Sequence, residues 1–139
     1  MAKLNESKSV TGRQRILFID DDPDYIRSVK ILLEEEYEVE TALSVEEGWN
    51  NIGSQRPDLI ILDAMMEPKD GFTMAKELKE HQEYKDIPIV MLTGVVPQIS
   101  KTRYSQDQIL RFDGEDFVEK SSDVGEILTA VGKYLKRGG

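Results

Sequence analysis

Residues 16–24 read ILFIDDDPD, and the fold turns on how that stretch is read. Four apolar residues in unbroken succession suit a strand covered on both faces, because a strand with one wet face would alternate apolar and polar positions. The run ends in three aspartates and a proline. Asp22 followed by Pro23 is a helix start: the aspartate side chain can accept a free N–H of the first turn, and proline lacks the N–H that the first helical position leaves unused. Ile26, Val29, Leu32 and Leu33 then recur at helical spacing, so one buried strand feeds one amphipathic helix.

The alternation continues outward from there. Tyr37-Glu38-Val39-Glu40-Thr41 alternates and reads as a less covered edge strand, and Ser44-Val45-Glu46-Glu47 is a capping box that opens a short helix ending near Gly53. Leu59-Ile60-Ile61-Leu62 is a second buried strand; Asp70-Gly71 reads as turn chemistry, and Phe72, Ala75 and Leu78 mark the next helix. Ile87 to Leu92 is a third apolar run, with Pro88 near its start. Gly94 to Phe112 has ambiguous periodicity and is expected to hold one helix, followed by a turn at Asp113-Gly114. Phe117-Val118 is a brief last strand, and Val124, Ile127, Leu128, Val131 and Leu135 form a final helical stripe. The order βαβαβαβαβα predicts an α/β fold, a doubly wound parallel sheet of five strands with helices on both faces. One domain is expected over residues 13–136, between a flexible leader at 1–12 and a frayed end at 137–139.

Composition narrows the function. The 139 residues carry 18 basic and 27 acidic side chains, a net charge of -9, which repels nucleic-acid phosphates and anionic lipid. With no cysteine and a single histidine, His81, thiolate metal sites, cysteine nucleophiles and multi-histidine zinc sites are excluded. No apolar run approaches the ~20 residues needed to span a bilayer, and MAKLNESKSVTGRQR lacks a signal-peptide core, so a cytoplasmic protein without membrane insertion is expected.

In doubly wound sheets ligands bind outside the carboxyl ends of the strands. The residues there are Asp20, Asp21 and Asp22 after the first strand, Asp63 after the second buried run, Thr93 after the third, and Lys120 just past the last. Carboxylates crowded together raise one another's pKa, and a hard divalent cation relieves the conflict. All-oxygen donors favour Mg²⁺, with Mn²⁺ as the second choice. A lysine and a hydroxyl beside such a cation suit a phosphoryl group, and a carboxylate is the natural nucleophile. Asp63, alone at the sheet centre, is assigned that role, and the adjacent Asp20 and Asp21 the metal.

The segments ILFIDDDPD (16–24), PDLIILDAMMEPKDGF (57–72), IPIVMLTG (87–94) and DFVEK (116–120) resemble the response-regulator receiver domains of two-component signalling, over about Arg15 to Leu135. The resemblance implies a flavodoxin-like strand order 2-1-3-4-5, with Asp63 as phosphoacceptor and Asp20 and Asp21 as the acidic pair. It further implies that Asp63 and the Met65 backbone carbonyl complete the protein ligands of Mg²⁺, that Thr93 and Phe117 form the switch pair, and that Lys120 is the family's lysine. The function it implies is phosphotransfer from a sensor histidine kinase or histidine phosphotransfer protein, followed by slow autodephosphorylation. The protein would act as a stand-alone receiver, not an enzyme on a separate substrate, binding a protein target as a monomer or weak phosphorylation-dependent dimer. Three features depart from the family. Glu67 stands where proline is usual, with Pro68 one later; Ser121 replaces the cis-proline after Lys120; and the interval from Thr93 to Lys120 is enlarged.

Blander roles are expected for several neighbours: Asp22 as a helix cap, His81 as a solvated side chain, Trp49 as a half-buried packing residue, and Met65, Met66, Met74 and Met91 as filler. Two rival functions are weaker. A phosphatase of the haloacid-dehalogenase type needs its nucleophile on the first strand and a cap, but Pro23 starts a helix at once. An interaction module that is never phosphorylated leaves the acidic pair, Asp63, Thr93 and Lys120 without a purpose.

Overall fold

The computed structural model describes residues 12–66, 70–94, 116–120 and 124–135. The expected leader up to residue 11, Glu67 and Pro68, the helix expected before Phe112, the Asp113-Gly114 turn, the Lys120–Ser121 peptide and the end from 137 to 139 lie outside the described residues. In chain order the described elements are β1 Arg15–Ile19, α1 Pro23–Leu33, β2 Glu38–Ala42, α2 Val45–Ser54, β3 Leu59–Asp63, α3 Gly71–Lys79, β4 Ile89–Thr93, β5 Asp116–Glu119 and α4 Val124–Tyr134.

The apolar runs become the middle of the sheet. β1, β3 and β4 are buried at every position, whereas β2 buries only Val39 and Ala42. The five strands lie parallel in the order β2-β1-β3-β4-β5, with the alternating strand at an edge as its pattern predicts. Successive side chains leave opposite faces. Ile16 and Phe18 therefore join Ile26, Val29 and Leu33 of α1 and Ile127, Ala130 and Val131 of α4 in one apolar layer. Leu17 and Ile19 join Val45 and Ile52 of α2 and Met74, Ala75 and Leu78 of α3 in the other. This is the doubly wound arrangement. Among the described residues no helix is long and apolar enough to cross a membrane.

Local chemistry sets the helix starts. Asp22 accepts from the N–H groups of Asp24 at 3.1 Å and Tyr25 at 3.3 Å, with Pro23 beginning α1. Ser44 Oγ accepts from Glu47 N at 3.1 Å, and the Glu47 carboxylate accepts in return from Leu43 N at 2.8 Å, one residue before the cap itself. Asp70 accepts from Thr73 N at 2.7 Å, so the Asp70-Gly71 pair expected as turn chemistry is the start of α3.

One stripe is narrower than its spacing implied. Leu32 is 39% exposed while Ile26, Val29 and Leu33 are buried. At ~100° per residue, Leu32 points about 90° away from the mean direction of those three, past the line of contact with the sheet.

Candidate functional site

Strand register gathers the predicted residues on one rim. Ile19 pairs with Leu62, so Asp20 and Asp63 follow at the same level; Asp63 pairs with Leu92, and Thr93 with Glu119. From β3 to β4 to β5 the row therefore advances one residue per strand, ending at Lys120, whose backbone N–H donates to Thr93 O at 2.7 Å. Asp20 is fully buried; Oδ1 accepts from Asp22 N at 2.9 Å. Asp63 is 3% exposed; Oδ1 accepts from Met65 N at 3.2 Å, which seats the Met65 backbone beside the carboxylate. Asp21 is exposed at the mouth. Carboxylate oxygens of Asp20, Asp21 and Asp63 lie within 4.8 Å of one another.

The rim is held from beneath. The N–H of Gly71 donates to Ala64 O at 3.0 Å, and a Cβ on Gly71 would overlap the Asp63 carbonyl oxygen. The start of α3 thus abuts the backbone of Asp63, and glycine at 71 answers a close approach.

Lys120 reaches both buried aspartates, with Nζ 2.8 Å from Asp20 Oδ2 and 3.5 Å from Asp63 Oδ2. One ammonium does not balance three carboxylates. Burial, with the Asp63 charge behind it, pushes Asp20 up to about 6 despite Lys120. Burial likewise raises Asp63 above the usual carboxylate range, against the pull of Lys120 and the Met65 N–H. Burial disfavours the Lys120 ammonium, but its two aspartates outweigh that and raise its pKa overall. A buried, negatively overcharged cluster of oxygen donors with one exposed member fits a hard divalent cation, and so do its donor types.

Thr93 is fully buried, and its Oγ1 has no hydrogen-bond partner among the described residues. The Phe117 ring packs 6.0 Å from the Phe72 ring, half-buried at the edge of the layer shared with α2 and α3.

Two residues differ from their expected or unremarked status. His81 is not simply solvated: its ring stacks on Tyr84 at 4.3 Å, and Nδ1 accepts from Glu83 N at 3.1 Å. The turn after α3 brings Tyr84 back over the helix end, with Trp49 6.2 Å from the imidazole. Tyr25, unremarked in the sequence, lies against Lys120, whose Nζ is 4.8 Å from the ring centroid. The available signal was an aromatic residue in the first helical turn after the acidic cluster.

The family described as response regulator receiver domain matches residues 16–132. The DNA-binding dual master transcriptional regulator RpaA of Synechocystis sp. is 40% identical over 126 residues, covering 88% of this chain and 49% of that protein. Response regulator GtcR of Aneurinibacillus migulanus is 35% identical over 125 residues, covering 88% and 48%. The chain thus spans about half the length of these curated relatives. The crystal structure of the signal receiver domain of a signal transduction histidine kinase from Syntrophus aciditrophicus is similar at TM-score 0.78 and 27% identity, covering 88% of this chain and 89% of that one. Response regulator protein TrrA from Thermotoga maritima, solved in complex with Mg²⁺ and BeF, is similar at TM-score 0.69 and 32% identity, covering 88% and 99%. With a family match that runs from β1 through β5 and into α4, the chain belongs to the response regulator receiver domains of two-component signalling.

Proposed function

We propose that this receiver takes a phosphoryl group onto Asp63 from the phosphohistidine of a sensor histidine kinase or histidine phosphotransfer protein, and that the modified site switches a protein-binding surface. The observation that carries this reading is the position of Asp63. It is the buried carboxylate at the middle of the row, with Lys120 Nζ at 3.5 Å and two further carboxylates within 4.8 Å.

An Asp63 carboxylate oxygen attacks phosphorus as the P–N bond breaks. The bond's electron pair leaves on the imidazole, which takes up a proton from water, and an acyl phosphate remains on Asp63. Asp20, Asp21, Asp63 and the Met65 carbonyl would hold Mg²⁺, or Mn²⁺ in its place. Bound there, the ion would neutralise charge on the phosphoryl oxygens. Lys120 exchanges part of its pairing with Asp20 for a phosphoryl oxygen. Thr93 offers a buried hydroxyl that has no other acceptor among the described residues. Drawing Thr93 toward the phosphate vacates space into which Phe117 turns, and phosphate selects that state only through these added contacts.

The receiver domain promotes its own phosphorylation and slow dephosphorylation rather than acting on a separate substrate. Its acidic surface favours a protein target over nucleic acid. Incubation with acetyl phosphate and Mg²⁺, followed by intact mass measurement, should add one phosphoryl group that Asp63→Asn abolishes. Labelling that persists in that variant, or that maps to serine or threonine, contradicts the assignment. No labelling of the parent protein favours the unphosphorylated interaction module.

A further inference from the structure

Tyr25 has no part in the phosphotransfer chemistry described above, yet it touches a group on which that chemistry depends. The Asp22 side chain fixes the start of α1 by accepting the Tyr25 N–H at 3.3 Å. From there the ring meets Phe18 edge-on, at 6.2 Å and 80°, and leans on the apolar layer beneath α1 and α4. Its face lies 4.8 Å from Lys120 Nζ. Its hydroxyl oxygen is buried and has no hydrogen-bond partner among the described residues. The contact with Lys120 is made by the ring face.

The lysine stem has four rotatable bonds, and its ammonium is drawn unequally by Asp20 at 2.8 Å and Asp63 at 3.5 Å. An aromatic face attracts a cation without demanding one direction of approach. A ring at this place confines the ammonium to the rim and excludes water from one side of it. It also leaves the ammonium free to pivot from Asp20 toward a new anion beside Asp63. We propose that Tyr25 is a positioning residue that acts through Lys120, its ring holding the ammonium where an incoming phosphoryl oxygen can capture it. This rests on the phosphotransfer reading of Asp63.

The test compares the parent chain with Tyr25→Leu and Tyr25→Phe, each also in a Lys120→Met background, with folding checked by amide NMR spectra. With acetyl phosphate and Mg²⁺, Tyr25→Leu should slow labelling of Asp63 about five- to tenfold, and Tyr25→Phe should restore the rate to within about twofold. In the Lys120→Met background, Tyr25→Leu should change the rate less than about twofold, because its effect runs through the lysine. A Leu variant as fast as the parent overturns the proposal. So does a Phe variant as slow as Leu, or an undiminished Leu effect without the ammonium. A second readout is independent of labelling: the Lys120 ε-methylene protons should show a ring-current displacement in the parent and Tyr25→Phe that Tyr25→Leu loses. Absence of that displacement in the parent overturns the proposal. A displaced lysine in a parent that cannot be labelled upholds the ring–ammonium contact and overturns the phosphotransfer reading instead.

Discussion

The two rims of the sheet carry similar charges and do opposite things. At the amino end of β1, Arg15 faces Glu38 at 3.2 Å and Glu40 at 3.1 Å, while its backbone N–H donates to Asp58 Oδ2 at 2.7 Å. At the carboxyl end, Lys120 faces Asp20 and Asp63, with Asp21 beside them. At the amino rim one guanidinium faces two glutamates while Asp58 accepts from the backbone N–H; at the carboxyl rim one ammonium faces two aspartates with a third carboxylate, Asp21, beside them. At the amino rim the guanidinium fork gives each glutamate its own arm, and those glutamate side chains remain 28% and 46% exposed, so water shares the charge. Glu38 is also the register partner of Arg15, so the pairing locks β2 onto β1. At the carboxyl rim the Asp20 and Asp63 side chains are 0% and 5% exposed, and one compact ammonium serves both. Asp20 is pushed up to about 6 as a result. Burial of the carboxylates, with one cation facing two of them at either rim, separates a strand fastener from the site we propose for a cation and a phosphoryl anion.

The largest effect expected is from Gly71→Ala, which acts on the carboxyl rim alone. The new Cβ would overlap the Asp63 carbonyl oxygen, a backbone atom with no room to yield. Chemical denaturation should show a loss of ~3 kcal/mol, with slowed labelling of Asp63. An unchanged variant means α3 does not brace the site.

The next effect is electrostatic and depends on pH. With Asp20 at about 6 in the folded protein and near 3.9 unfolded, the folded state holds this proton more tightly. The associated stability is full below about pH 4 and is lost as pH rises through about 6. In metal-free buffer Asp20→Asn should therefore gain ~2 kcal/mol over the parent at pH 7.5, and the gain should vanish near pH 4. Added Mg²⁺ should then stabilise the parent more than the variant. A variant less stable than the parent at both pH values, without metal, shows that the carboxyl rim is already balanced.

Arg15→Met probes the other rim with a smaller effect. A loss of ~1 kcal/mol at low salt, shrinking as salt screens the pairs, is expected in thermal melts. Labelling of Asp63 should not change; slowed labelling would show that the rims are coupled. Smallest is Thr93→Ala, which removes a buried methyl together with a hydroxyl that has no partner among the described residues. The lost methyl costs stability and the lost hydroxyl offsets part of it, so the net change should stay below ~1 kcal/mol, and labelling should persist. The beryllofluoride-induced shifts around Phe117 and α4 should be lost, and their survival would exclude the threonine–phenylalanine coupling.

Much of this was legible in the sequence, for a local reason. Ile16 to Ile19, Leu59 to Leu62 and Ile89 to Leu92 are unbroken apolar runs, and Asp20, Asp63 and Thr93 follow them directly, so finding these strands placed three of the candidate residues on one rim. Asp22, Ser44 and Glu47 announce their helices through hydrogen bonds only a few residues long. What escaped depends on contacts between distant segments, which leave no local period. Tyr25 gains its meaning from Lys120, near the other end of the chain. Gly71 looked like a turn residue because its close neighbour, the Asp63 backbone, belongs to another element. His81 followed a polar helix end, and only the returning Tyr84 gives it a stacking partner.

The contrast between the rims is tested most directly by amide NMR of the full chain titrated with Mg²⁺ and then beryllofluoride, a stand-in for the phosphoryl group. Shifts should concentrate at Asp20–Asp22, Asp63–Met65, Thr93 and Lys120, leaving Arg15, Glu38, Glu40 and Asp58 in place. Asp63→Asn should abolish the beryllofluoride step. Shifts shared equally by both rims, or a beryllofluoride response that survives Asp63→Asn, would contradict the assignment of the carboxyl rim as the phosphoryl site.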